Sequence, residues 1–364
     1  MHVQSIVVLM RRRAREVAHT IVSIASEHNC LPFYIVAHAD ADGITASAII
    51  TRVLNAQKIM PIVVFTNSTE INEIVYHGTI NPVLRTPTDA KEGIWIFLDT
   101  GFNSLNVLEK LKKKIIIDHH FCSEQHLKKA QTGTFNKSIS HESWTLLLSP
   151  HLFGVAHNEC TAAFLAYLIA KNVREDREHG PLAVVGALGD GIYGKEFTIS
   201  GIAREAVQES IEKNEIQIKR DLLVPGKETL SIKNLLIEMN QMLEMGFETE
   251  ALLSEMVSDL KIPKNEIEEN RWIDLLPKEK RNILSWIAKK RLKMGHDAGA
   301  VLGMVGEVYH LKKHRPGIHM HDCAEFGKLL NECGERALAH EAYHLCLQQT
   351  EENYRNLVDK LYLR

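Results

Sequence analysis

Eight side chains of the types that bind divalent cations fall in four short clusters in the first half of the chain. They lie in the segments His38-Ala-Asp40-Ala-Asp42-Gly43, Leu98-Asp99-Thr100-Gly101, Asp118-His119-His120 and Gly189-Asp190-Gly191. Carboxylate oxygens together with a few imidazole nitrogens suit a pair of manganese or magnesium ions. Two such ions side by side are a recurrent device for hydrolysing phosphate esters. The four clusters therefore predict a two-metal centre.

The first cluster places His38, Asp40 and Asp42 at alternate positions, so in an extended segment the three side chains share one side. Two carboxylates held so close repel each other unless a cation lies between them. The alternative is a polar loop that caps the next helix, with Asp42 as the N-cap before Gly43. The three further clusters favour the metal interpretation.

The other clusters also have two interpretations. Asp99 follows five apolar residues and precedes Thr-Gly, so it is either a turn residue or a carboxylate that bridges two metals. Asp190 lies between glycines, in a turn or close to a metal. Two adjacent histidines after an Ile-Ile-Ile run are costly to bury unless they coordinate or hydrogen-bond something. We expect one of them to bind a metal, the other to contact phosphate, and Asp118 to orient an imidazole.

The segments that precede the clusters predict an α/β domain. Apolar, β-prone runs predict strands at Phe33–Ala37, Ile62–Phe65, Ile94–Leu98 and Ile115–Ile117. Helical patterns cover Met10–Glu27, Gly43–Ala56, Val107–Lys112, Asn158–Lys171 (with Asn158 as its cap) and Pro181–Leu188. Strands that alternate with helices indicate a doubly wound parallel sheet, which binds ligands beyond the carboxyl ends of its strands. Three clusters directly follow a predicted strand, and the fourth follows the last of these helices.

The second half of the chain has a different pattern. From about Ile232 to Met294 the spacing of Leu, Ile and Met is helical, and from Ala298 the pattern changes again. There we predict strands at Ala300–Tyr309 and Ala342–Leu347 and helices at Asp322–Asn331 and Glu351–Leu363. We therefore expect a catalytic domain over residues 1–225, a helical connector over 226–296, and a small, apparently truncated α/β domain over 297–364.

Composition is that of an ordinary soluble globular protein. The chain has 364 residues, of which 45% are hydrophobic and 24% charged, and no stretch is long and apolar enough for a membrane span. A net charge of −3 argues mildly against a large non-specific surface for nucleic acid. Six cysteines without C-x-x-C pairing indicate reduced thiols and a cytoplasmic protein; they are Cys30, Cys122, Cys160, Cys323, Cys333 and Cys346.

Several histidines outside the clusters have less specific signals. His319-Met-His321 has a spacing that suits a metal, but no carboxylate cluster accompanies it, so we interpret it as a surface loop. Three histidines follow the third cluster, and one of them could reach the site as a further phosphate contact; they are His141, His151 and His157.

The four clusters, in this order and at these spacings, resemble the DHH phosphoesterase superfamily. It includes RecJ-type single-strand exonucleases, family II inorganic pyrophosphatases, and phosphodiesterases of short oligonucleotides and cyclic dinucleotides. Further blocks resemble the archaeal RecJ-like subfamily, which includes the nuclease that associates with the GINS replication complex. These blocks are Ser149–Gly154, Cys160–Ala163, Val185–Asp190, Gly303–Tyr309 and Asp322–Gly334.

The resemblance implies a role for each residue of the clusters. One manganese ion would be held by His38, Asp40 and Asp99, and the other by Asp42, Asp99, His119 and Asp190. The resemblance makes His120 the contact of the scissile phosphate and counts Asp99 and Asp118 among the catalytic residues. Since every position carries a competent residue, it implies an active hydrolase that uses two divalent cations, manganese preferred and magnesium possible.

The chain departs from the family in two places. Archaeal relatives usually have Asn-Ala-Cys-Gly-Arg, whereas this chain has Asn331-Glu-Cys-Gly-Glu-Arg336, so one extra residue displaces the arginine. The C-terminal Gly-Gly-Gly-His motif, which helps relatives grip nucleic acid, is absent, and the chain stops at Arg364 before its expected place.

Three functional hypotheses follow. The first is a manganese-dependent exonuclease of single-stranded nucleic acid, of RecJ-like type, in DNA replication or repair. The second is a phosphodiesterase of short oligonucleotides or cyclic dinucleotides, which the missing motif favours. The third is a replisome scaffold that binds GINS, since the eukaryotic replicative helicase contains a RecJ-related subunit with eroded ligands. The intact ligands of this chain argue against scaffolding alone.

Overall fold

The computed structural model describes residues 3–27, 31–66, 93–121, 123, 143–173, 179–192, 198–242, 248–297 and 299–363. Backbone contacts divide the chain into two compact units. The first unit comprises residues 1–192, 199–212 and 327–364, and the second comprises 193–198 and 213–326. This division differs from the three expected domains, because residues 327–364 group with the first half of the chain.

A five-stranded parallel sheet forms the centre of the first unit, which confirms the predicted fold class. Its strands are β1 (Phe33–His38), β2 (Ile62–Thr66), β3 (Ile94–Leu98), β4 (Lys113–Ile117) and β5 (Trp144–Leu148), in the order β2-β1-β3-β4-β5. The first four match predicted strands, and β5 was not predicted. Leu98 pairs with Ala37 on one side and Ile117 on the other, so β1, β3 and β4 end level with each other. Their carboxyl ends therefore deliver the first three clusters to one edge.

Helices cover the sheet of the first unit. They are α1 (Val3–Glu27), α2 (Ala41–Ala56), α3 (Leu105–Leu108), α4 (Ala162–Ala170), α5 (His179–Gly189) and α6 (Arg204–Glu212). The apolar helices α2, α4 and α5 pack against one another and are buried over nearly their whole length. They form the rigid base from which two of the clusters project.

Several helix boundaries differ from the predictions, and α1 begins at Val3 instead of Met10. The predicted helix Val107–Lys112 is a 3-10 turn at Phe102–Ser104 followed by the single turn α3. Helix α4 starts later than expected because its cap is Thr161, whose side chain accepts from the amide of Phe164. Asparagine and threonine are both favoured at the N-cap of a helix, so the sequence alone does not show which of Asn158 and Thr161 is the cap.

The second unit combines a two-stranded sheet with helices. Strand β6 (Ile216–Leu222) pairs antiparallel with β7 (Val305–Leu311). Between them lie α7 (Ile232–Met242), α8 (Thr249–Leu260), α9 (Lys264–Glu269), α10 (Pro277–Lys293) and α11 (Gly299–Leu302). A buried cluster that includes Trp272 and Trp286 holds these helices together. The helical character predicted for residues 232–294 is confirmed, whereas the strand predicted from Ala300 begins only at Val305.

Three helices complete the described chain: α12 (Cys323–Glu335), α13 (Ala339–Gln348) and α14 (Glu351–Tyr362). The strand predicted at Ala342–Leu347 is wrong, because this run belongs to α13. Buried Ala342, Leu345 and Cys346 are spaced as one helical face, and a short apolar run cannot be assigned by periodicity alone. No helix in the described part of the chain is long and apolar enough to cross a bilayer.

Candidate functional site

Asp99 stands at the centre of the carboxyl edge of the sheet, between the ends of β1 and β4. It is the residue after Leu98, the last position of β3, and it is 1% exposed. On the β1 side, His38 Nδ1 lies 3.6 Å from Asp99 Oδ2 and pairs closely with Asp40 Oδ2. One potential ligand atom from each of these three residues lies within 4.8 Å of the others. This group contains the residues expected to hold the first ion.

A second group forms around His119, on the β4 side of Asp99. His119 Nε2 lies 3.2 Å from Asp99 Oδ1, 3.6 Å from Asp190 Oδ2 and 3.7 Å from Asp42 Oδ2. The two oxygens of Asp99 therefore face different groups, Oδ2 toward His38 and Oδ1 toward His119. The structure brings together all six residues that the sequence proposed as metal ligands.

The hydrogen bonding of Asp99 and His119 is incomplete. Both oxygens of Asp99 and Nε2 of His119 are buried without a hydrogen-bond partner among the described residues. The 3.2 Å approach of these two side chains lacks the alignment of a hydrogen bond. Buried polar atoms are nearly always satisfied, and leaving one unpaired is costly. A divalent cation would satisfy all three atoms, so the donor set fits the proposed ions.

Backbone groups from distant segments orient the proposed ligands. Asp42 is 1% exposed, and its carboxylate accepts from the amides of Ala162 (2.7 Å) and Ala163 (2.9 Å) at the start of α4. His119 Nδ1 donates to the carbonyl of His157 at 3.0 Å, which leaves Nε2 as the nitrogen that faces the carboxylates. Such supporting contacts fix the tautomer and direction of a ligand before any ion binds.

Asp40 is both a proposed ligand and a helix cap. Its Oδ1 accepts from the amide of Gly43 at 2.9 Å, so Asp40, and not Asp42, is the N-cap of α2. This corrects the alternative assignment of the cap made from sequence. Because the cap fixes the carboxylate at the first turn of a buried helix, its second oxygen is held beside His38.

His120 is held by Asp118, as the sequence predicted. Asp118 Oδ1 accepts from His120 Nδ1 (2.9 Å) and from the His120 amide (3.0 Å), while Oδ2 accepts from the amide of Phe102 (2.9 Å). Asp118 is 1% exposed, whereas the side chain of His120 is 45% exposed. The carboxylate therefore acts through the imidazole, and His120 is the group of the pair that an incoming substrate can reach.

The carboxylates keep the imidazoles of the metal-free site protonated. The hydrogen bond that His120 donates to Asp118 raises the pKa of His120 to about 9, and the one that His38 donates to Asp40 raises the pKa of His38 to about 10. Burial opposes charge on His119, but the carboxylates led by Asp99 raise its pKa to about 11. Burial, together with repulsion from neighbouring carboxylates, raises the pKa of Asp99 to about 8. A cation that binds here would therefore have to displace protons from the imidazoles and from Asp99.

Helix α12 contributes a part of the site that sequence reasoning missed. Asn331 Oδ1 accepts from the amide of Ala41 at 2.7 Å, and its Nδ2 donates to the carbonyl of Gly189 at 2.9 Å. Close packing permits both bonds, since a Cβ at Gly334 would lie 1.7 Å from the carbonyl oxygen of Ala39. Asn331 thus links the loop of the first cluster to that of the fourth. The Asn-x-Cys-Gly spacing in the sequence does not specify these partners.

A cavity of about 410 Å³ opens beside the first group, lined by His38, Ala39, Asp40, Gly189, Asp190, Asn331, Gly334 and Glu335. Glu335 brings a carboxylate to this cavity. The neighbouring Arg336 instead donates from Nη1 to the carbonyl of Leu361 at 2.6 Å. The arginine that the resemblance associates with substrate is therefore occupied elsewhere in this chain.

The remaining histidines fall in different places. His151 Nε2 donates to the carbonyl of His119 at 2.9 Å, and His157 supports the ring of His119 through its own carbonyl. His141, like Cys30 and Cys122, lies outside the described residues. His321 is not in an exposed loop, contrary to the prediction: it is 8% exposed, donates to Glu228 at 2.8 Å and stacks on His310. The carboxylate that accompanies it comes from a distant part of the sequence.

A family model matches part of the chain. Residues 32–189 match the model described as DHH family, N-terminal domain. The structure of CDC45 from Entamoeba histolytica is similar, with a TM-score of 0.67 and 13% identity over 96% of this chain and 71% of that chain. No curated protein sequence matches the chain.

Two RecJ structures are similar with lower scores. RecJ in complex with Mn²⁺ from Thermus thermophilus has a TM-score of 0.49 and 16% identity, over 96% of this chain and 37% of that chain. The exonuclease RecJ bound to manganese has a TM-score of 0.47 and 16% identity, over 96% of this chain and 64% of that chain. At this identity, the similarity to CDC45 shows a shared fold.

Proposed function

We propose that this chain is a manganese-dependent phosphodiesterase that hydrolyses single-stranded nucleic acid from an end. The observation that carries the proposal is the position of Asp99. It is one buried carboxylate whose two oxygens lack a hydrogen-bond partner among the described residues, and each oxygen faces a separate group of metal-ligand side chains. A shared carboxylate between two such groups is what a two-metal hydrolase requires.

Each residue of the site has a proposed role in the reaction. His38, Asp40 and Asp99 would hold one cation, and Asp42, Asp99, His119 and Asp190 the other. Bound cations of this kind activate water and neutralise charge on a phosphate ester. In the metal-free protein, the hydrogen bond of His120 to Asp118 raises the pKa of the imidazole to about 9, which favours its protonated form. We infer that its exposed imidazolium binds a phosphate oxygen and stabilises the charge that develops on the leaving oxygen.

A time course on end-labelled strands tests the proposal. Single-stranded DNA and RNA, labelled at either end, are incubated with metal-free protein to which manganese, magnesium or calcium is added. We expect shortening from one end with manganese and none after chelation. The Asp99→Asn variant is the control for a contaminating nuclease. Intact strands after incubation with protein shown to bind manganese would contradict the proposed function.

Glu335 favours a second candidate, a phosphodiesterase of short oligonucleotides or cyclic dinucleotides. Its carboxylate lines the cavity beside Asp40 and Asp190, where it would repel the additional phosphates of a long strand. Hydrolysis rates measured against strand length separate the two candidates. A strong preference for the shortest substrates would replace the first with the second.

The fold shared with CDC45 supports a third candidate, a scaffold that binds replication proteins such as GINS. The similarity extends over 96% of this chain. Pull-down with purified replication proteins tests it, using wild type and Asp99→Asn. Binding by both proteins, with no hydrolysis by the wild type under any metal condition, would favour scaffolding over catalysis.

A further inference from the structure

The residue that follows the histidine pair carries a phenyl ring into solvent. Phe121 is 72% exposed, although burying a ring of this size is favourable. Its Cα lies about 3.8 Å from that of His120, as for any consecutive residues. The backbone therefore places Phe121 directly after the imidazole proposed to contact phosphate.

The position of Phe121 is fixed from two sides. Asn103 Nδ2 donates to the carbonyl of Phe121 at 2.8 Å. The ring meets His151 edge to face, with centroids 6.1 Å apart and planes at 85°, and His151 in turn donates to the carbonyl of His119. The same imidazole thus contacts the exposed ring and supports the proposed metal ligand. A ring held in this way is preorganised, so little conformational entropy is lost when a ligand contacts it.

Exposed apolar side chains are common, so exposure alone does not indicate a binding role for Phe121. Its position directly after His120 is the informative feature. The described residues of the first unit include six other large exposed apolar side chains. Val8 and Leu9 are on α1, Met60 and Ile62 are at the amino end of β2, and Tyr362 and Leu363 are at the end of α14. In that set, Phe121 alone directly follows a residue of the candidate site.

We propose that Phe121 is a stacking platform for the nucleobase next to the bond that is cleaved. This inference rests on the proposed function and deepens it, because it makes the site selective for nucleotides over other phosphodiesters. Every base has a π-face, so the contact tolerates any sequence, and stacking on an aromatic side chain is worth roughly 5- to 150-fold in affinity per base. Binding through a base also suits a chain with net charge −3 and a carboxylate in its cavity.

The test compares an intact single strand with the same strand carrying abasic sites at its terminal nucleotides. Hydrolysis (kcat/KM) and equilibrium binding (Kd) are measured for wild type, Phe121→Ala, Phe121→Leu and Phe121→Trp. Met60→Ala is the matched control, since Met60 is 89% exposed at the opposite edge of the sheet. The leucine variant keeps apolar bulk without an aromatic face, which covers the case that the alanine variant folds poorly.

If the platform exists, wild type prefers the intact strand, and the intact-to-abasic ratio falls toward one in the alanine and leucine variants. The tryptophan variant and Met60→Ala should keep the preference. Equal losses on both strands, no loss, or full rescue by leucine would each overturn the stacking role. Absence of hydrolysis by wild type contradicts the proposed function, whereas the Kd values still decide whether a base stacks on Phe121.

Discussion

At the scale of single residues, the site depends on a carboxylate in an unfavourable backbone conformation. Asp99 has a φ of 56°, in the left-handed region that residues other than glycine rarely adopt. Its oxygens are also buried and unpaired among the described residues. Strain and unsatisfied polar atoms persist where the surrounding structure enforces them, and they concentrate at functional positions. Both features of Asp99 have a common explanation if it holds two cations.

Replacing Asp99 with asparagine tests this explanation. Asparagine keeps the shape and tolerates a left-handed backbone, but it removes the charge that both ions share. We expect kcat with manganese to fall by at least about 10³-fold. We also expect the metal-free variant to unfold at a higher temperature at neutral pH. Burial and the carboxylates of Asp40 and Asp42 raise the pKa of Asp99 to about 8, so wild type must take up a proton on folding and the variant need not. Retained hydrolysis with manganese would contradict the two-metal interpretation.

The raised imidazole pKa values predict how metal binding depends on pH. The pKa is about 10 for His38 and about 11 for His119, so both rings are protonated at neutral pH in the metal-free protein. A ligating imidazole must lose its proton, so rising pH favours binding. Asp99, whose pKa is raised to about 8, must also lose its proton below that pH. We expect the logarithm of the overall manganese affinity to rise by roughly two to three per pH unit between about pH 6 and 8.

Calorimetric titration with manganese, in buffers of different ionisation enthalpy, measures the protons released. The matched variant His38→Gln removes one of the two rings and should lower the slope by about one. An affinity that does not change with pH would show that the imidazoles are not ligands.

The residues of the site were predictable because their types are distinctive, whereas their supports were not. Carboxylates and imidazoles that directly follow apolar strands indicate a metal site. The groups that orient them are backbone amides and carbonyls, such as the amide of Ala162 for Asp42 and the carbonyl of His157 for His119. Every residue offers such groups, so no sequence signal marks the ones that are used.

At the scale of elements, helix α12 joins two loops that the sheet alone does not connect. Asn331 bonds to Ala41, between two proposed ligands, and to Gly189, which precedes Asp190. Both bonds must form for the loops to keep their spacing. Asn331 is therefore a positioning residue of the proposed metal centre and is not itself a ligand of the ions.

Substitution of Asn331 should weaken metal binding without removing a ligand. We expect Asn331→Ala to lower manganese affinity about 10- to 100-fold, the usual effect of losing a group that orients a ligand. Asn331→Asp keeps the acceptor for Ala41 but loses the donor to Gly189, so its affinity should lie between those of wild type and the alanine variant. At saturating manganese, kcat should largely recover in both variants. Unchanged affinity in the alanine variant would rule out the positioning role.

The elements themselves were predictable to the extent that their periodicity is unambiguous. Buried strands such as Ile94–Leu98 are recognisable because continuous β-prone apolar runs suit a parallel sheet. Strand β6, with the sequence Ile-Gln-Ile-Lys-Arg-Asp-Leu, is largely polar and exposed along its middle, so it carries no such run. The apolar run in α13 suits either a strand or a helix by its sequence. It is helical in the structure, where α13 packs against α2.

At the scale of the whole molecule, the second unit contains a buried ionic network with its own cation. Lys227 Nζ lies 2.7 Å from Asp322 Oδ2, and both side chains are at most 2% exposed. Glu228 accepts from His321 at 2.8 Å, and the stacked ring of His310 lies 3.8 Å from both carboxylates. Such networks are costly to break, because removal of one partner leaves an uncompensated buried charge.

This network gives the stability of the protein a defined pH dependence. Burial lowers the pKa of His310 to about 4, below its ordinary value of 6.5. Between about pH 4 and 6.5, the imidazole of His310 is protonated in the unfolded chain and neutral in the folded one. His310 therefore contributes stability above about pH 6.5 that is lost as the pH falls toward 4. Nearby Glu325, whose pKa burial raises to about 7, titrates with the opposite sign.

Comparison of wild type with His310→Gln isolates the histidine, because Glu325 titrates in both proteins. The free energy of unfolding is measured with denaturant at several pH values from about 4.5 to 7. We expect the wild type to lose roughly 1–3 kcal/mol more than the variant over that interval, since each pKa unit is worth about 1.4 kcal/mol. A difference between the two proteins that stays constant with pH would show that His310 is not held neutral. The opposite slope would place its proton in the folded state, shared with Glu228 and Asp322.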